Sequence, residues 1–386
     1  MSEKNTTPNL NNIPKEKFEF VQIDTKLHDE VIQGEAIGFF KDAMIRFRKN
    51  KAALASFIII AILAFMAVFG PSMSKYGFAE QNVQLQNMPP RVSWLSGLSL
   101  FSGTTTKEVR TDNIEKKYKD AYIGTVSTRV VKGTEMSKIK LDPYKQNGGD
   151  DVYYWFGSDN LGRDLWTRLW RGLRVSFLIS LIAMAVNILI GIIYGAISGY
   201  YGGWIDLLMQ RFIEVIGGVP YLVIVILFVF YYGPGIIPIA LAMCMTGWIG
   251  MSRMIRAQFL KYKEMEYVLA SRTLGASDRT LIFRHILPNA AGIIITMSAL
   301  EIPGAIFGES FLAYIGLGIQ APEPSIGVLL ADGQKVLLQY PHLTIFPAFV
   351  ISIMMIAFNL MGNGLRDAFD PTLRGIESVS YTHLTL

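Results

Sequence analysis

The residue types that carry most enzyme chemistry are few in this sequence and are not spaced as a reactive site. Cys244 is the one cysteine and lies in an apolar run, so neither a disulfide framework nor a cysteine metal site is indicated. The four histidines, His28, His285, His342 and His383, lack the spacing of metal ligands. No Ser/His/Asp or HExxH constellation and no G-x-x-x-x-G-K-S/T phosphate loop occurs. We therefore predict no catalytic residue, no cofactor site and no metal site.

The composition is that of a chain that spans a membrane several times. Hydrophobic residues make up 51% of the sequence and charged residues only 17%, whereas a soluble protein has about 25% charged residues. The charges cluster in a few stretches and nearly vanish from others, which indicates apolar spans separated by wet loops. The net charge of +5 does not indicate nucleic-acid binding, because the basic residues mostly flank apolar runs.

Six apolar runs are predicted to span the membrane as helices. They cover residues 53–69, 175–198, 212–232, 236–251, 290–311 and 345–361. A hydrocarbon core of about 30 Å needs roughly 20 helical residues, so the short first, fourth and sixth runs should extend into their flanks. Pro220 interrupts the third run and Pro303 the fifth, and both could kink their helices.

Two carboxylates lie where charge is costly. Glu301 lies within the fifth run and Glu309 near its end. An ionisable group at membrane depth usually faces a cavity or the interior of a helix bundle. Both residues are candidates for contact with a solute path, and a buried, hydrogen-bonded carboxylate is the alternative.

Short basic segments predict the orientation. Five basic residues precede the first span (Lys41, Arg46, Arg48, Lys49 and Lys51), which favours a cytoplasmic N-terminus. Six spans then return the C-terminus to the cytoplasm. The loop between spans four and five falls inside, and it is also basic. Four arginines precede the second span on the outer side, against the rule that basic residues lie on the cytoplasmic side (Arg163, Arg168, Arg171 and Arg174). They belong to a segment of about 100 residues, and segments of that length are largely exempt from this rule.

The segments outside the spans have different characters. Residues 1–52 form a predicted cytoplasmic tail that ends in an amphipathic helix at the membrane surface or in a simple lead-in to the first span, 53–70. Residues 71–170 form a predicted external α+β insertion, with strand-like stretches at 125–132 and 139–141. Near its end, Asp159 and Asn160 could cap the next helix and Gly162 could turn the chain; a gating role is the alternative. The last nine residues, 378–386, look unrelated to the rest and are left out of the functional interpretation.

The loop over residues 252–289 is the most informative stretch. A simple connection needs only a few residues, whereas this loop mixes charges with apolar residues at helical spacing. The pattern predicts a short helix–turn–helix with one face on the spans and another available to a partner. Gly275 permits a tight turn or helix cap, and Pro288 suits the first turn of the fifth span.

This loop resembles the EAA loop of binding-protein-dependent ABC importer permeases. Ala270, Gly275, Leu287 and Pro288 match the motif at its spacing. Leu269 replaces the motif's glutamate, Ser271 its second alanine and His285 its isoleucine; nearby Glu266 is a candidate substitute for the glutamate. In that family the loop is a coupling helix that docks on an ATPase subunit. The resemblance therefore implies a coupling site comprising Glu266, Ala270, Ser271, Arg272, Gly275, Ala276, Ser277, Leu287 and Pro288.

Further segments resemble the oligopeptide and dipeptide permeases of the same family, so that the resemblance covers about 45–70 and 156–375. They begin at Arg46, Phe156, Gly308 and Arg366. The resemblance implies an all-α polytopic membrane protein of the type I ABC importer (MetI-like) fold, with a permease core at 171–366 and a cytoplasmic tail at 367–386.

The resemblance also implies the partners. They are a second, homologous permease subunit in a heterodimer, two ATP-binding cassette ATPases, an external solute-binding lipoprotein or periplasmic protein, a peptide substrate and membrane lipid, but no nucleic acid. The expected location is the bacterial cell membrane. A nickel or other small-solute importer of the same subfamily is the nearest alternative. A secondary transporter or channel is a different one, but the internal repeats and intramembrane charge chains common in those classes are not evident.

Overall fold

The computed structural model describes residues 38–118, 120–131 and 134–369. Most of the predicted N-terminal tail and nearly all of the C-terminal tail, including residues 378–386, lie outside this description, as does Lys132. Residues 38–42 belong to an N-terminal unit, Met1–Asp42, and a second unit runs from Ala43 onward.

The chain forms fourteen α-helices and three β-strands over the described residues. The helices are α1 (Phe39–Lys49), α2 (Lys51–Met73), α3 (Ile114–Tyr118), α4 (Pro143–Gln146), α5 (Leu165–Tyr201), α6 (Gly203–Gly217), α7 (Tyr221–Tyr232), α8 (Ile236–Thr246), α9 (Trp248–Tyr262), α10 (Glu266–Thr273), α11 (Asp278–Thr280), α12 (Leu287–Tyr314), α13 (Ile326–Lys335) and α14 (His342–Phe369). The strands are β1 (Thr105–Arg110), β2 (Tyr122–Val131) and β3 (Thr134–Leu141), and a π-helical turn, Leu281–Ile286, joins α11 to α12.

The predicted six spans are confirmed over the described residues. Five helical stretches are long and apolar enough to cross a membrane, and α6 with α7 makes a sixth that is bent by 71° at its break. The first, fourth and sixth spans extend beyond the predicted runs, to 23, 27 and 28 residues. The break follows from Pro220, which lacks the amide hydrogen that would continue the ladder.

The second span differs from its prediction. We expected it to begin near Val175, but α5 begins ten residues earlier, at Leu165. Three of the four arginines that were placed before the span, Arg168, Arg171 and Arg174, lie inside this helix, and each has a partner within the protein. Arg168 pairs with Asp159 at 3.2 Å, Arg171 pairs with Glu323 at 2.9 Å, and Arg174 donates to the carbonyl oxygens of Ala67 and Val68.

The helix cap also differs from its prediction. Asp164, and not Asp159 or Asn160, caps α5, and it accepts hydrogen bonds from the backbone amide and the hydroxyl of Thr167. Ser74 donates to the same carboxylate at 2.9 Å. Burial raises the pKa of Asp164, and these hydrogen bonds oppose that rise. Gly162 turns the chain as predicted, with φ +71°, and a side chain there would overlap the backbone of Asn82.

A small α+β insertion lies between the first two spans, as predicted. Its sheet is antiparallel with strand order β1-β3-β2, and Thr105 pairs with Leu141 where β1 begins and β3 ends. The sheet's core contains Tyr118, Ile139 and Leu141. A separate cluster, around Leu85, Tyr144 and Tyr154, packs the rest of the insertion. β1 was not predicted, because TTKEVR has no apolar alternation.

The spans pack around α5. One apolar cluster joins α5 to α2, α13 and α14, and another joins it to α7, α8 and α12. Towards its C-terminal end α5 lies against α9 through Gly191, Gly195 and Gly199, where added side chains would overlap α9. Small residues at four-residue spacing let helix backbones approach closely, as in other membrane proteins. This close packing fixes α9, the helix that leads into the candidate loop, against α5.

Candidate functional site

The loop between α9 and α12 contains a capped helix, α10, followed by a tight turn. The amide of Ala276 donates to the carbonyl oxygen of Ser271 at 3.1 Å, and the amide of Gly275 donates to that of Arg272 at 3.0 Å. These two bonds form a Schellman cap, which requires a left-handed residue after the helix. Gly275 is that residue, with φ +85°. The sequence EYVLASRTLG therefore ends α10 and redirects the chain towards Ser277, whose hydroxyl caps α11.

The inner face of the loop is anchored to the spans. Val268, Leu281 and Ile286 are fully buried and pack with Ile255 and Phe259 of α9. Tyr200, near the end of α5, donates its hydroxyl to Asp278 at 2.6 Å, and the Lys263 ammonium donates to the Gly199 carbonyl oxygen at 3.0 Å. The loop is thus attached both to α5 and to α9, so that movement of the loop would be transmitted to these spans.

Two residues that depart from the EAA motif contact each other. The Ser271 hydroxyl lies 3.2 Å from Nε2 of His285, which links α10 to the π-helical turn. Asn289 donates to the Tyr267 hydroxyl at 3.1 Å and to the His285 carbonyl oxygen at 2.6 Å. Partial burial raises the pKa of Tyr267. These bonds fasten α10 to the start of the fifth span across Leu287 and Pro288, in addition to the apolar contacts.

The outer face of the loop exposes apolar side chains among charged ones. Leu274 is 88% exposed, Phe283 is 61% exposed, and Leu269, at the motif's glutamate position, is 44% exposed. Glu266 and Arg272 are exposed beside them. A surface that alternates apolar and charged groups suits docking against another protein. Of the predicted coupling residues, Ala270, Gly275, Ser277 and Pro288 are also exposed, whereas Ser271, Ala276 and Leu287 are half-buried.

The two predicted path carboxylates occupy different surroundings. Glu309 is fully buried, and the Ser176 hydroxyl of α5 donates to it at 3.0 Å. Ser176 also accepts from the Ile326 amide at 3.4 Å, so Glu309 ties α12 to α5 and α13. Glu301 is half-buried and lies two residues before Pro303 in the same helix. Glu301 is therefore the more accessible of the two.

Sequence reasoning missed an ion pair at the end of the spans nearest the loop. Arg256 of α9 donates two hydrogen bonds to Asp206 of α6, one of them at 2.6 Å from Nε to Oδ1. Ser198 donates to the same carboxylate. The available signal was an aspartate beside one apolar run and an arginine beside the next. The pair fixes α6 to α9, the helix that leads into the loop.

A cavity of about 1060 Å³ lies on the insertion, on the side that faces the segment before α14. Its wall includes Gln86, Thr104, Asn147, Gln339 and Tyr340. No sequence pattern predicted this cavity, because its lining comes from five separate stretches. Within the described residues, no group of three His, Cys, Asp or Glu side chains could hold a metal ion.

Two separate stretches of the chain match known protein families. Residues 187–375 match the family described as binding-protein-dependent transport system inner membrane component, and residues 38–90 match the N-terminal TM domain of oligopeptide transport permease C. The chain is 38% identical over 365 residues to the dipeptide transport system permease protein DppC of Bacillus subtilis, covering 94% of this chain and 95% of that protein.

Two further relatives are the oligopeptide transport system permease proteins OppC. That of Bacillus subtilis is 38% identical and covers 95% of this chain and 100% of its own length. That of Escherichia coli K12 is 32% identical, over 89% of this chain and 94% of its own length. Among solved structures, the inward-facing MetNI methionine ABC transporter aligns with a TM-score of 0.45 at 12% identity, over 53% of this chain and 97% of that chain.

Proposed function

The chain belongs to the binding-protein-dependent transport system inner membrane component family, and we propose from this premise that it is the permease subunit of an ATP-driven importer of oligopeptides or dipeptides. It is a multi-pass protein of a bacterial membrane. ATP hydrolysis belongs to separate subunits of such importers, so this chain is not itself an enzyme. The names of its relatives favour peptides over nickel as the solute.

The observation that carries the proposal is the outer face of the loop. It is built on a capped helix, exposes Leu269, Leu274 and Phe283, and is anchored through its inner face to α5 and α9. The sequence has no phosphate-binding loop of its own, so energy from ATP must enter through a contact with another subunit. We assign that contact to this loop.

Within the loop, the predicted coupling residues are proposed to have different roles. Glu266, Ala270 and Arg272 are proposed to touch the ATPase subunit, because they lie on the exposed face. Leu269 and Leu274, which were not in the predicted set, are exposed beside them and are proposed to join that contact. Gly275, Ala276 and Ser277 shape the turn that presents this face. Ser271, Leu287 and Pro288 join it to the fifth span.

The orientation follows from the same assignment. A loop that meets an ATPase lies in the cytoplasm, and six spans, with α6 and α7 counted as one, support the proposal that both chain termini lie there too. The insertion lies on the opposite side, where an external solute-binding protein would deliver the peptide. A second homologous permease subunit and two ATPases complete the proposed assembly. The exposed apolar surfaces of the spans contact lipid or that second subunit.

The solute path is proposed to border Glu301. This residue is half-buried and lies near the Pro303 position of α12, where the helix can change its bend. Glu309 could join the path only if its contact with Ser176 opened, because it is fully buried. In the alternating-access mechanism, ATPase closure moves the loop and thereby reorients the spans.

Reconstitution of the importer in proteoliposomes tests the proposal. The chain is combined with the second permease, the two ATPases and the external binding protein, and uptake of radiolabelled trialanine and of nickel-63 is measured with and without ATP. We expect ATP-dependent uptake of the peptide and none of nickel. Uptake of peptide without the ATPase subunits would contradict ATP-driven import, and ATP-dependent uptake of nickel alone would replace the peptide assignment.

A further inference from the structure

A loop of the insertion exposes several large apolar side chains together. It comprises residues 92–101, which we call the apolar loop. Trp94 is 79% exposed, and Leu98 and Leu100 are 55% and 56% exposed. The sequence has no charged residue over 92–106. An exposed apolar cluster of this kind marks a contact with a membrane or with another protein.

The charged ends of α2 and α14 mark one boundary of the membrane core. Lys51 begins α2 and Arg366 lies in the last turn of α14, and both are exposed. The two ends lie level, because Gly364 is packed against Ala53 so closely that an added side chain would overlap it. Away from this end, neither helix contains a lysine, arginine, aspartate or glutamate. Basic residues next to an uncharged helix lie at the surface of the hydrocarbon core.

The same two helices locate the opposite boundary. At a rise of 1.5 Å per residue, Gly70 of α2 lies about 28 Å along the helix from Lys51. Phe346 of α14 lies about 30 Å from Arg366. Both distances equal the thickness of a hydrocarbon core, which is about 30 Å. Gly70 and Phe346 therefore lie at the membrane surface on the side of the insertion.

An aromatic cluster joins the two helices at this level. The Trp166 indole donates a hydrogen bond to the Gly70 carbonyl oxygen at 2.8 Å. The ring centroid of Trp166 lies 4.8 Å from that of Phe156, and Phe156 stacks on Phe346 with centroids 4.0 Å apart. Tryptophan is enriched at the interface between lipid and water. The cluster thus agrees with the helix lengths on the position of the boundary.

The apolar loop is attached to this cluster. The ring centroid of Phe101 lies 6.3 Å from that of Phe346. The Val92 amide donates to the Phe101 carbonyl oxygen at 3.0 Å, which closes the loop at its base. Trp94 and Leu98 are two and three residues from this base, so at 3.8 Å per residue neither Cα atom lies more than about 11 Å from it. The exposed side chains are therefore held close to the membrane surface.

We propose that the apolar loop inserts into the lipid interface on the side of the insertion, and that Trp94 and Leu98 anchor the insertion there. The loop continues the apolar surface of the span beside it, because Phe349 of α14 is 63% exposed one turn below Phe346. Lipid fits this loop better than a protein partner does, because protein interfaces have a polar rim and this loop has no charge. Indole and leucine side chains favour the boundary between headgroups and acyl chains. The inference depends on the membrane location of the chain, and not on its solute or its ATPase contact.

Quenching of a fluorescent label by lipid tests the location. Cys244 is the one cysteine of the sequence, so the full chain with Cys244→Ser is a background for single cysteines. Trp94→Cys and Leu98→Cys are labelled with the dye NBD and reconstituted into phosphatidylcholine vesicles that carry a nitroxide on the headgroup or at carbon 5 of the acyl chain. We expect both labels to be quenched several-fold more strongly than one at Val130→Cys, the control, because Val130 is 72% exposed on β2 of the same insertion. Quenching no stronger than at Val130 overturns the inference.

The same labels distinguish lipid from a protein occupant. The chain is reconstituted alone and then with the second permease subunit, the ATPases and the external binding protein. Strong quenching in both preparations supports the anchor. Weak quenching together with a blue-shifted emission that requires one of the added proteins would assign the loop to that protein and reject the anchor. Failure of peptide import would leave this readout unaffected, because the chain alone supplies it.

An acidic pair tests whether the apolar side chains themselves anchor the loop. Gly97→Cys is the labelled position, because nothing lies within 4 Å of a side chain added there. Trp94→Asp with Leu98→Asp should keep the thermal midpoint in detergent, since both side chains are exposed, but should lower the quenching at position 97 to the level at Val130. The matched control, Trp94→Phe with Leu98→Ile, should retain strong quenching. Equal quenching in the acidic and apolar variants would show that the rest of the fold holds the loop at the membrane, and would overturn the anchor.

Discussion

At the scale of single residues, Gly275 shapes the turn of the loop that is proposed to meet the ATPase. It adopts φ +85° at the end of α10, and nothing lies within 4 Å of the position that a side chain would take. Replacing Gly275 is therefore costly because of its left-handed backbone conformation, and not because a side chain would clash with neighbours. A left-handed conformation costs a non-glycine residue about 1–2 kcal/mol, and asparagine less than most.

We predict that Gly275→Val disrupts coupling without unfolding the protein. The α10 cap should open and ATP-dependent peptide uptake should fall about tenfold, whereas Gly275→Asn should retain most of it. Gly250→Ala is the matched control, because Gly250 is helical, exposed and also free of neighbours. Uptake by reconstituted complexes and the thermal midpoint of each variant are the measurements. Equal uptake by the valine and asparagine variants would show that the turn does not matter.

The turn in the loop was predictable from the sequence because local backbone conformation restricts which residue types can form it. A glycine between a helical stretch and a capping serine indicates a turn whatever surrounds it. The cap of α5 was not predictable in the same way. Asp159, Asn160 and Asp164 are all good caps by type, and tertiary contacts decide among them: Asp159 pairs with Arg163 at 2.7 Å and Asp164 accepts from Ser74.

At the scale of elements, the contact of α5 with α9 holds the loop in place. Gly195 lies against α9 so closely that a Cβ atom would be 2.8 Å from Cβ of Ile255 and 3.0 Å from the amide of Arg256. Neither atom can move without moving α9, because the amide is part of the helix backbone and the Cβ atom is bonded directly to it. The helices approach through glycines here, as in other membrane bundles.

Gly195→Leu should therefore destabilise the protein strongly. Overpacking costs about 1–3 kcal/mol or more, so we expect a thermal midpoint several degrees lower, or loss of folded protein. Gly250→Leu, on the exposed side of α9, should leave the midpoint unchanged. Fluorescence-detected size-exclusion after heating measures both. A folded Gly195→Leu variant with an unchanged midpoint would contradict the close packing of α5 and α9.

The sheet of the insertion should be dispensable for folding of the spans. Its core, around Tyr118, Ile139 and Leu141, is separate from the cluster around Leu85 and Tyr144 that packs the rest of the insertion. Thr105 and Leu141 are register partners, so replacing residues 105–141 by an Asn-Gly linker closes the gap without strain. We expect the shortened chain to keep its thermal midpoint within a few degrees. Aggregation of this variant in detergent would show that the sheet supports the spans.

Element types were predictable from hydropathy, whereas boundaries and partners were not. The six apolar runs correspond to six spans, one of them bent, because a segment that crosses lipid must be apolar and hydrogen-bonded within itself. The start of α5 was missed because its arginines are paired with residues distant in sequence, such as Glu323 and Ala67. β1 was missed because its pairing with β3, and not its own composition, makes it a strand.

At the scale of the whole molecule, energy input and solute contact are proposed to lie in different places. The loop after α9 is proposed to receive the ATPase, and Glu301 of α12 is proposed to border the solute path. Arg256 and Asp206 connect α9, the helix that leads into the loop, to α6. This arrangement requires that the outer face of the loop binds the ATPase.

The most direct measurement of that central claim is retention of the ATPase subunits on the purified permease. Leu274→Asp places a charge on the loop's outer face, and Leu338→Asp places one before α14; these leucines are 88% and 99% exposed, so neither change disturbs the core. We predict that Leu274→Asp loses most of its ATPase, whereas Leu338→Asp retains it at the unsubstituted level. Full retention of ATPase and of ATP-dependent uptake by Leu274→Asp would contradict the account.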